Sequence, residues 1–300
     1  VPTQVLYLIT VLIWGSSWFA ITLQLGVVHP IWSVAYRFML ASAMLLLFCL
    51  ATHRRLRFDR EDHFFFALQG LFLFSLNYIL FYFVIAHLTS GVVAVTFSTI
   101  VFMNMINGAL IFRTPVRGRV LAGAALGLFG IGLVFWPELA AFHKSGSGTM
   151  SVGLALLATW VASLGNMIAV RNQRRRLPII ETNAFGMTYG TCFTTVAALL
   201  IGGAPRFAWS ISYVGSLVYL ALFATVIAFG CYLSLLGRIG ADRAAYASVL
   251  FPIVALGIST LFEGYHWSVP ALIGVMTVIT GNLLILTRAA RARSGGAVEG

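Results

Sequence analysis

Three hundred residues are enough for one or two soluble domains, but 60% hydrophobic and only 9% charged residues leave too little polar material to cover a water-soluble core. The net charge of +11 comes from 18 arginines and the single lysine, Lys144, almost all in short stretches between apolar runs. That placement is a topology pattern and argues against a nucleic-acid groove. Cys49, Cys192 and Cys231 lie inside apolar runs without CxxC spacing, which gives no support to a metal, redox or disulfide role.

In chain order, uncharged or nearly uncharged runs recur at about 5–24, 32–51, 64–85, 90–112, 119–136, 150–170, 183–201, 212–236, 243–262 and 269–287. Each is close to the roughly 20 apolar residues a spanning helix needs. Helix is expected throughout because lipid offers the backbone no partners, and the alternating short strands of a barrel are absent. The first run has no basic segment before it and no small-residue cleavage pattern after it, so it is expected to belong to the mature fold. The fold class expected is an all-α membrane protein of ten transmembrane helices.

Basic residues set the orientation. Arg54, Arg55, Arg57 and Arg60 follow the second run, Arg113, Arg117 and Arg119 the fourth, and Arg171 and Arg174 to Arg176 the sixth. Arg238 and Arg243 follow the eighth, and Arg288, Arg291 and Arg293 the tenth, with only Lys144 and Arg206 on the other face. Both termini are therefore expected on the cytoplasmic side of an inner membrane. The 171–176 cluster reads as a cytoplasmic anchor, with contact to anionic lipid as the alternative.

The two halves of the chain match each other. At a shift of 150 residues Tyr82 falls on Tyr232, Ala94 on Ala244, Ser98 on Ser248 and Phe112 on Phe262. With one further residue Gly123 falls on Gly274 and Gly130 on Gly281, and at a slightly smaller shift Trp14 meets Trp160. Five runs per half is an odd number, so the halves enter the membrane from opposite sides as two inverted five-helix repeats. The organisation expected is a first repeat at 1–136, an outer linker at 137–149, a second repeat at 150–287 and a basic cytoplasmic tail at 288–300.

Several short motifs occur in order along the chain: Leu12-Ile13-Trp14-Gly15-Ser16-Ser17, Tyr36-Arg37-Phe38, Val170-Arg171-Asn172, Phe251-Pro252-Ile253 and Phe262-Glu263-Gly264. On these the chain resembles the drug/metabolite transporter superfamily (DMT), specifically its EamA family, over essentially its whole length. Within it the general likeness is greatest to the YddG-type exporters of aromatic and other neutral amino acids. The resemblance implies an exporter working by alternating access around a central cavity. Two positions depart from the family pattern: Phe102 stands where a proline is usual in the fourth run, and Arg113 where a glutamate is usual. The first half is therefore expected to lack the helix break that Pro252 provides in the second.

The residues fit that reading from below. Trp14, Trp160, Tyr78, Tyr82 and Tyr232 form a repeat-related aromatic set that can line a cavity with π-faces, while plain helix packing or an interfacial belt is the alternative. Ser17, Ser98, Thr99, Ser163 and Ser248 add uncharged hydrogen-bonding groups, which elsewhere in lipid simply join helices. Arg37 is a charge inside the second run, about six residues or about 9 Å from its outer end. It reads either as a ligand for a substrate carboxylate or as a structural arginine that braces helices. Pro252 is expected to mark a hinge or local break. Gly123 with Gly127, and Gly274 with Gly281, are expected at close helix contacts.

No HExxH, GxSxG or phosphate-binding loop is present, so the expectation is a carrier and not an enzyme, with no cofactor and no metal. Its partners would be a small-molecule substrate and the bilayer, with no nucleic acid and a functional monomer. The eight acids, Asp59, Glu61, Asp62, Glu138, Glu181, Asp242, Glu263 and Glu299, all sit at run ends, loops or the tail. Without a mid-membrane carboxylate to carry protons, facilitated export is expected. The alternative is an exporter of other metabolites or drugs, with proton coupling open to it.

Overall fold

The computed structural model describes residues 1–26, 28–113, 118–134, 136, 147–232, 234–235, 238 and 247–294. Arg117, Glu138, Lys144, Asp242, Arg243, Glu299 and most of the expected linker 137–149 lie outside the described residues.

Every regular element among the described residues is helical. In chain order these are α1 (Thr3–Thr22), α2 (Pro30–Ala51), α3 (Arg60–Leu71), a π-helical turn (Phe72–Leu76), α4 (Asn77–Ile85), α5 (Ser90–Phe97), α6 (Ile100–Phe112) and α7 (Gly118–Val134). They continue as α8 (Ser147–Arg174), α9 (Ile179–Ile201), α10 (Ile211–Val218), a second π-helical turn (Tyr219–Ile227), α11 (Ala247–Phe262) and α12 (Val269–Ser294). Seven runs are long and apolar enough to cross a bilayer, and three further apolar helices are shorter over their described residues. The chain is a multi-pass membrane protein.

Local chemistry explains where helices start and stop. Pro30 opens α2, where its missing N–H costs nothing, and Ser210 caps α10 by accepting from the Tyr213 N–H at 3.2 Å. The N-terminus of α5 is capped from another helix: the Glu263 carboxylate accepts from the Ser90 N–H at 3.1 Å and from the Ser90 hydroxyl at 2.5 Å. Ser259 completes that cap by accepting from the Gly91 N–H at 2.8 Å. The negative side chain thus meets the positive end of a helix.

Two expectations about helix continuity are corrected. α11 continues through Pro252 from Ala247 to Phe262, so no local break occurs there. A proline costs an intrahelical bond, but in lipid the flanking turns keep their own bonds and the helix persists. The first half, expected to be unbroken for want of a proline, is interrupted instead: α5 ends and α6 begins at Ser98–Thr99. The Ser98 hydroxyl donates to the Val95 carbonyl at 2.6 Å and the Thr99 hydroxyl to the Thr96 carbonyl at 2.7 Å. Such back-bonding competes with the helix ladder and bends it. The two π-helical turns match under the 150-residue shift, since residues 72–76 map to 222–226.

The chain forms two compact units, and each takes helices from both halves of the sequence. One comprises Val1–Phe19, His87–Leu156 and Ala228–Gly300. In it α7 and α12 pack without side chains between them: a Cβ on Gly130 would lie 2.6 Å from the Gly274 carbonyl, and one on Gly281 would lie 2.7 Å from that of Gly123. Gly281 sits between the GxxxG glycines, its Cβ also falling 3.2 Å from the Gly127 nitrogen, while a Cβ on Gly127 itself would meet the Phe102 ring at 3.0 Å. Around this pair lie Val101, Phe102, Ala124 and Val249, and further out Val92, Val95, Ile131 and Leu256.

The other unit comprises Ala20–Ala86 and Leu157–Ile227. Here α3 meets α9 at Gly70, whose Cβ would lie 2.5 Å from the Gly186 carbonyl, and Gly165 of α8 admits Leu73. Its polar end is tied by ion pairs: Glu61 to Arg171 and, at 2.5 Å, to Arg175, and Glu181 to Arg54 at 3.3 Å. Gln69 links Asn183 and Asn172 through carboxamide bonds of 2.9 and 3.0 Å. The Arg171 guanidinium lies over the Phe65 ring.

Candidate transport site

The candidate residues fall into two groups, one in each compact unit. In the first unit the half-buried Trp14 ring lies 5.1 Å from Tyr232 and 5.6 Å from Phe229, the latter edge-on. The Tyr82–Tyr232 and Trp14–Trp160 matches pointed to Trp14 and Tyr232, but Phe229 was missed, because a phenylalanine in a phenylalanine-rich membrane helix carries no signal. Ser17 donates to the Trp14 carbonyl at 2.8 Å, so its hydroxyl proton is committed to its own helix. Ser98 and Thr99 are buried at the break, and Ser248 on α11 is half-buried. Pro252 lies inside α11, buried.

In the second unit Arg37 is 3% exposed, and its guanidinium lies 4.7 Å from the centroid of the Tyr78 ring and 5.5 Å from that of Phe38. Arg37 Nη2 donates to the Thr225 hydroxyl at 3.3 Å, and Thr225 in turn donates to the Leu220 carbonyl five residues back, inside the π-helical turn. The matching turn of the first half is engaged in the same way, with Thr194 of α9 donating to Ser75 at 2.9 Å. In each half, then, the hydroxyl of the π-helical turn is held by the second helix of the other half. A π-helical turn frees a side-chain position that a regular helix would not offer.

Tyr82 is fully enclosed and donates to the Gln24 carboxamide oxygen at 2.8 Å. Tyr78 packs edge-on against Phe38 at 4.7 Å, so the two tyrosines of this face hold Arg37 and Gln24 between apolar walls. Ser163 is fully buried, whereas Trp160 is 45% exposed. The sequence carries no signal for Gln24 or Thr225, because Gln24 ends an apolar run and threonine is common in membrane helices. Among the described residues no ion pair reaches Arg37, and no group of three or more histidine, cysteine, aspartate or glutamate side chains is placed to hold a metal.

The EamA-like transporter family model matches this sequence twice, over residues 2–136 and 149–287. The chain belongs to the EamA-like transporter family. A probable amino-acid metabolite efflux pump of Escherichia coli strain K12 is 25% identical over 92% of each chain. Protein PagO of Salmonella typhimurium is 21% identical over 96% of each, and the uncharacterized transporter YoaV of Bacillus subtilis is 22% identical over 90% of this chain. A solved crystal structure superposes with a TM-score of 0.68 at 15% identity, covering 97% of this chain, which speaks for the fold alone. Membership of this family points to a transporter rather than an enzyme.

Proposed function

We propose that this EamA-like transporter exports neutral amino acids, the aromatic ones included, from the cytoplasm across the inner membrane by alternating access of ten spans arranged as inverted repeats. The observation that carries the reading is the full-length likeness to a protein named as an amino-acid metabolite efflux pump. The site chemistry supports it. Trp14, Tyr232 and Phe229 present π-faces that favour both an aromatic side chain and an ammonium group. The half-buried Ser248 offers an uncharged hydrogen-bonding partner, as a zwitterion of no net charge requires, whereas the Ser98 and Thr99 hydroxyls are committed to their own helix. Basic residues cluster on the loops expected at the cytoplasmic face, which supports both termini lying inside.

Arg37 serves this function as a structural residue, braced by Tyr78, Phe38 and Thr225, and not as the substrate's carboxylate ligand. Export is facilitated, since the acids lie at run ends, and the carrier works as a monomer because both repeats are in one chain. The test is a panel of labelled amino acids loaded into proteoliposomes of the purified chain. Efflux of neutral and aromatic amino acids above protein-free vesicles is expected. No efflux of any amino acid, with efflux of another metabolite class, would replace the reading.

A further inference from the structure

The interruption at Ser98–Thr99 has neither proline nor glycine to cause it. Ser98 and Thr99 have ψ of −18° and −12°, far from the roughly −42° of an α-helix and closer to a tight 3₁₀-type turn. The bonding agrees: the Thr99 N–H reaches back three residues to Thr96 at 3.1 Å, and the Val101 N–H reaches back three to Ser98 at 3.3 Å. A regular helix would give the Ser98 carbonyl to the N–H of Phe102. Here that carbonyl also accepts from a side chain, Asn282 Nδ2 of α12, at 3.3 Å, and the same nitrogen lies 3.3 Å from the Ser98 hydroxyl.

Asn282 is 2% exposed in the middle of an apolar helix, where an uncompensated carboxamide is costly. Its repeat mate at the 151-residue shift is Ile131, and the mate of Phe102 is Pro252. The second half therefore weakens its helix with a proline, which has no N–H to give. The first half keeps the N–H of Phe102 and occupies the carbonyl it would bond.

We propose that Asn282 is a positioning residue for transport: by bonding Ser98 it holds the turn between α5 and α6 open, making that turn the flexing point of the first half. The inference rests on the transport reading only for its flux arm. Its structural arm is independent of which substrate is carried.

The experiment replaces Asn282 by leucine, which is apolar and of similar size, and compares membrane abundance and melting temperature with the unaltered chain. Hydrogen–deuterium exchange of the peptide covering 99–103 is then measured in detergent. Loss of the carboxamide frees the Ser98 carbonyl for the Phe102 N–H, so exchange in this peptide is expected to slow by about tenfold. In proteoliposomes kcat for efflux is expected to fall by about fivefold with KM unchanged, because a conformational step slows while binding does not. In Asn282→Leu/Phe102→Pro, where no N–H exists to close the turn, both exchange and kcat are expected to return toward the original values. Should Asn282→Leu not reach the membrane, Asn282→Ala is read the same way. Exchange that stays the same or quickens, kcat that is unchanged, or a kcat loss that Phe102→Pro does not relieve would overturn the proposal. If the unaltered chain moves no amino acid at all, the substrate reading fails while the exchange arm still decides the role of Asn282.

Discussion

Replacing Gly274 by alanine tests the idea that α7 and α12 are held by direct backbone contact. The added Cβ would lie 2.5 Å from the Gly130 carbonyl and 2.7 Å from the Val134 nitrogen, and both neighbours are backbone atoms that cannot rotate away. Reaching ordinary contact near 3.4 Å forces the helices apart locally by about 0.9 Å. A gap of about 0.5–1 Å already forfeits a quarter to a half of the dispersion energy of the contacts it opens. In lipid, packing of this kind is a main force holding helices together, so a loss of about 1–3 kcal/mol is expected. Gly132 on α7 is the internal control, because a Cβ there meets nothing within 4 Å. Gly132→Ala should be neutral or stabilising by up to about 1 kcal/mol, from helix propensity alone. Thermal unfolding of the two variants in the same detergent, followed by size-exclusion chromatography, gives the comparison. Equal melting temperatures for Gly274→Ala and Gly132→Ala would refute the contact argument.

Three further outcomes are expected. Trp14→Ala and Tyr232→Ala, like Tyr82→Ala and Trp160→Ala, should cut amino-acid efflux by about five- to tenfold at matched abundance. Phe64→Ala, at a ring 59% exposed, should leave it nearly unchanged, and equal activity of all five variants would remove the aromatic set from the pathway. Phe65, under Arg171, is not a neutral comparison. Arg37→Met should lower the melting temperature by a few degrees and leave KM for efflux unchanged, because it removes the bond to Thr225 and the stacking on Tyr78 and Phe38 but no substrate contact. An unchanged melting temperature with a raised KM would show that Arg37 serves the substrate and not the fold. Finally, a pH gradient imposed on proteoliposomes at zero membrane potential should drive no concentrative uptake. Uptake that disappears in His87→Ala or Glu263→Gln would instead identify a coupling residue.

Hydropathy showed the apolar runs because lipid imposes one requirement, internal backbone bonding, on every spanning segment. The matched glycines have a geometric reason, since Gly130 meets Gly274 and Gly281 meets Gly123, whereas half-buried Trp14 packs on Tyr232 while its mate Trp160 is 45% exposed. What escaped was set by partners remote in sequence. The break at Ser98 depends on Asn282, and the π-helical turns have no residue signature beyond Ser75 and Thr225, whose meaning appears only with Thr194 and Arg37 beside them. A proline is the expected mark of a break, yet α11 continues through Pro252, because removing one bond is a smaller perturbation than engaging a carbonyl and two hydroxyls at once. Asn282 itself was open to detection, since a carboxamide in mid-membrane demands an explanation.

The interleaving of the two repeats bears on how the chain is made. Each compact unit draws on both halves of the sequence, so a nascent chain that has completed only residues 1–136 has finished neither. α7 must wait in the bilayer, its glycine face bare, until α12 emerges about 140 residues later, which at roughly 5–20 residues per second is about 7–30 seconds. A duplicated gene thus yields a protein whose halves cannot mature in turn. Chaperone and insertase dependence should therefore fall most heavily on the helices that wait for a late partner, α7 among them.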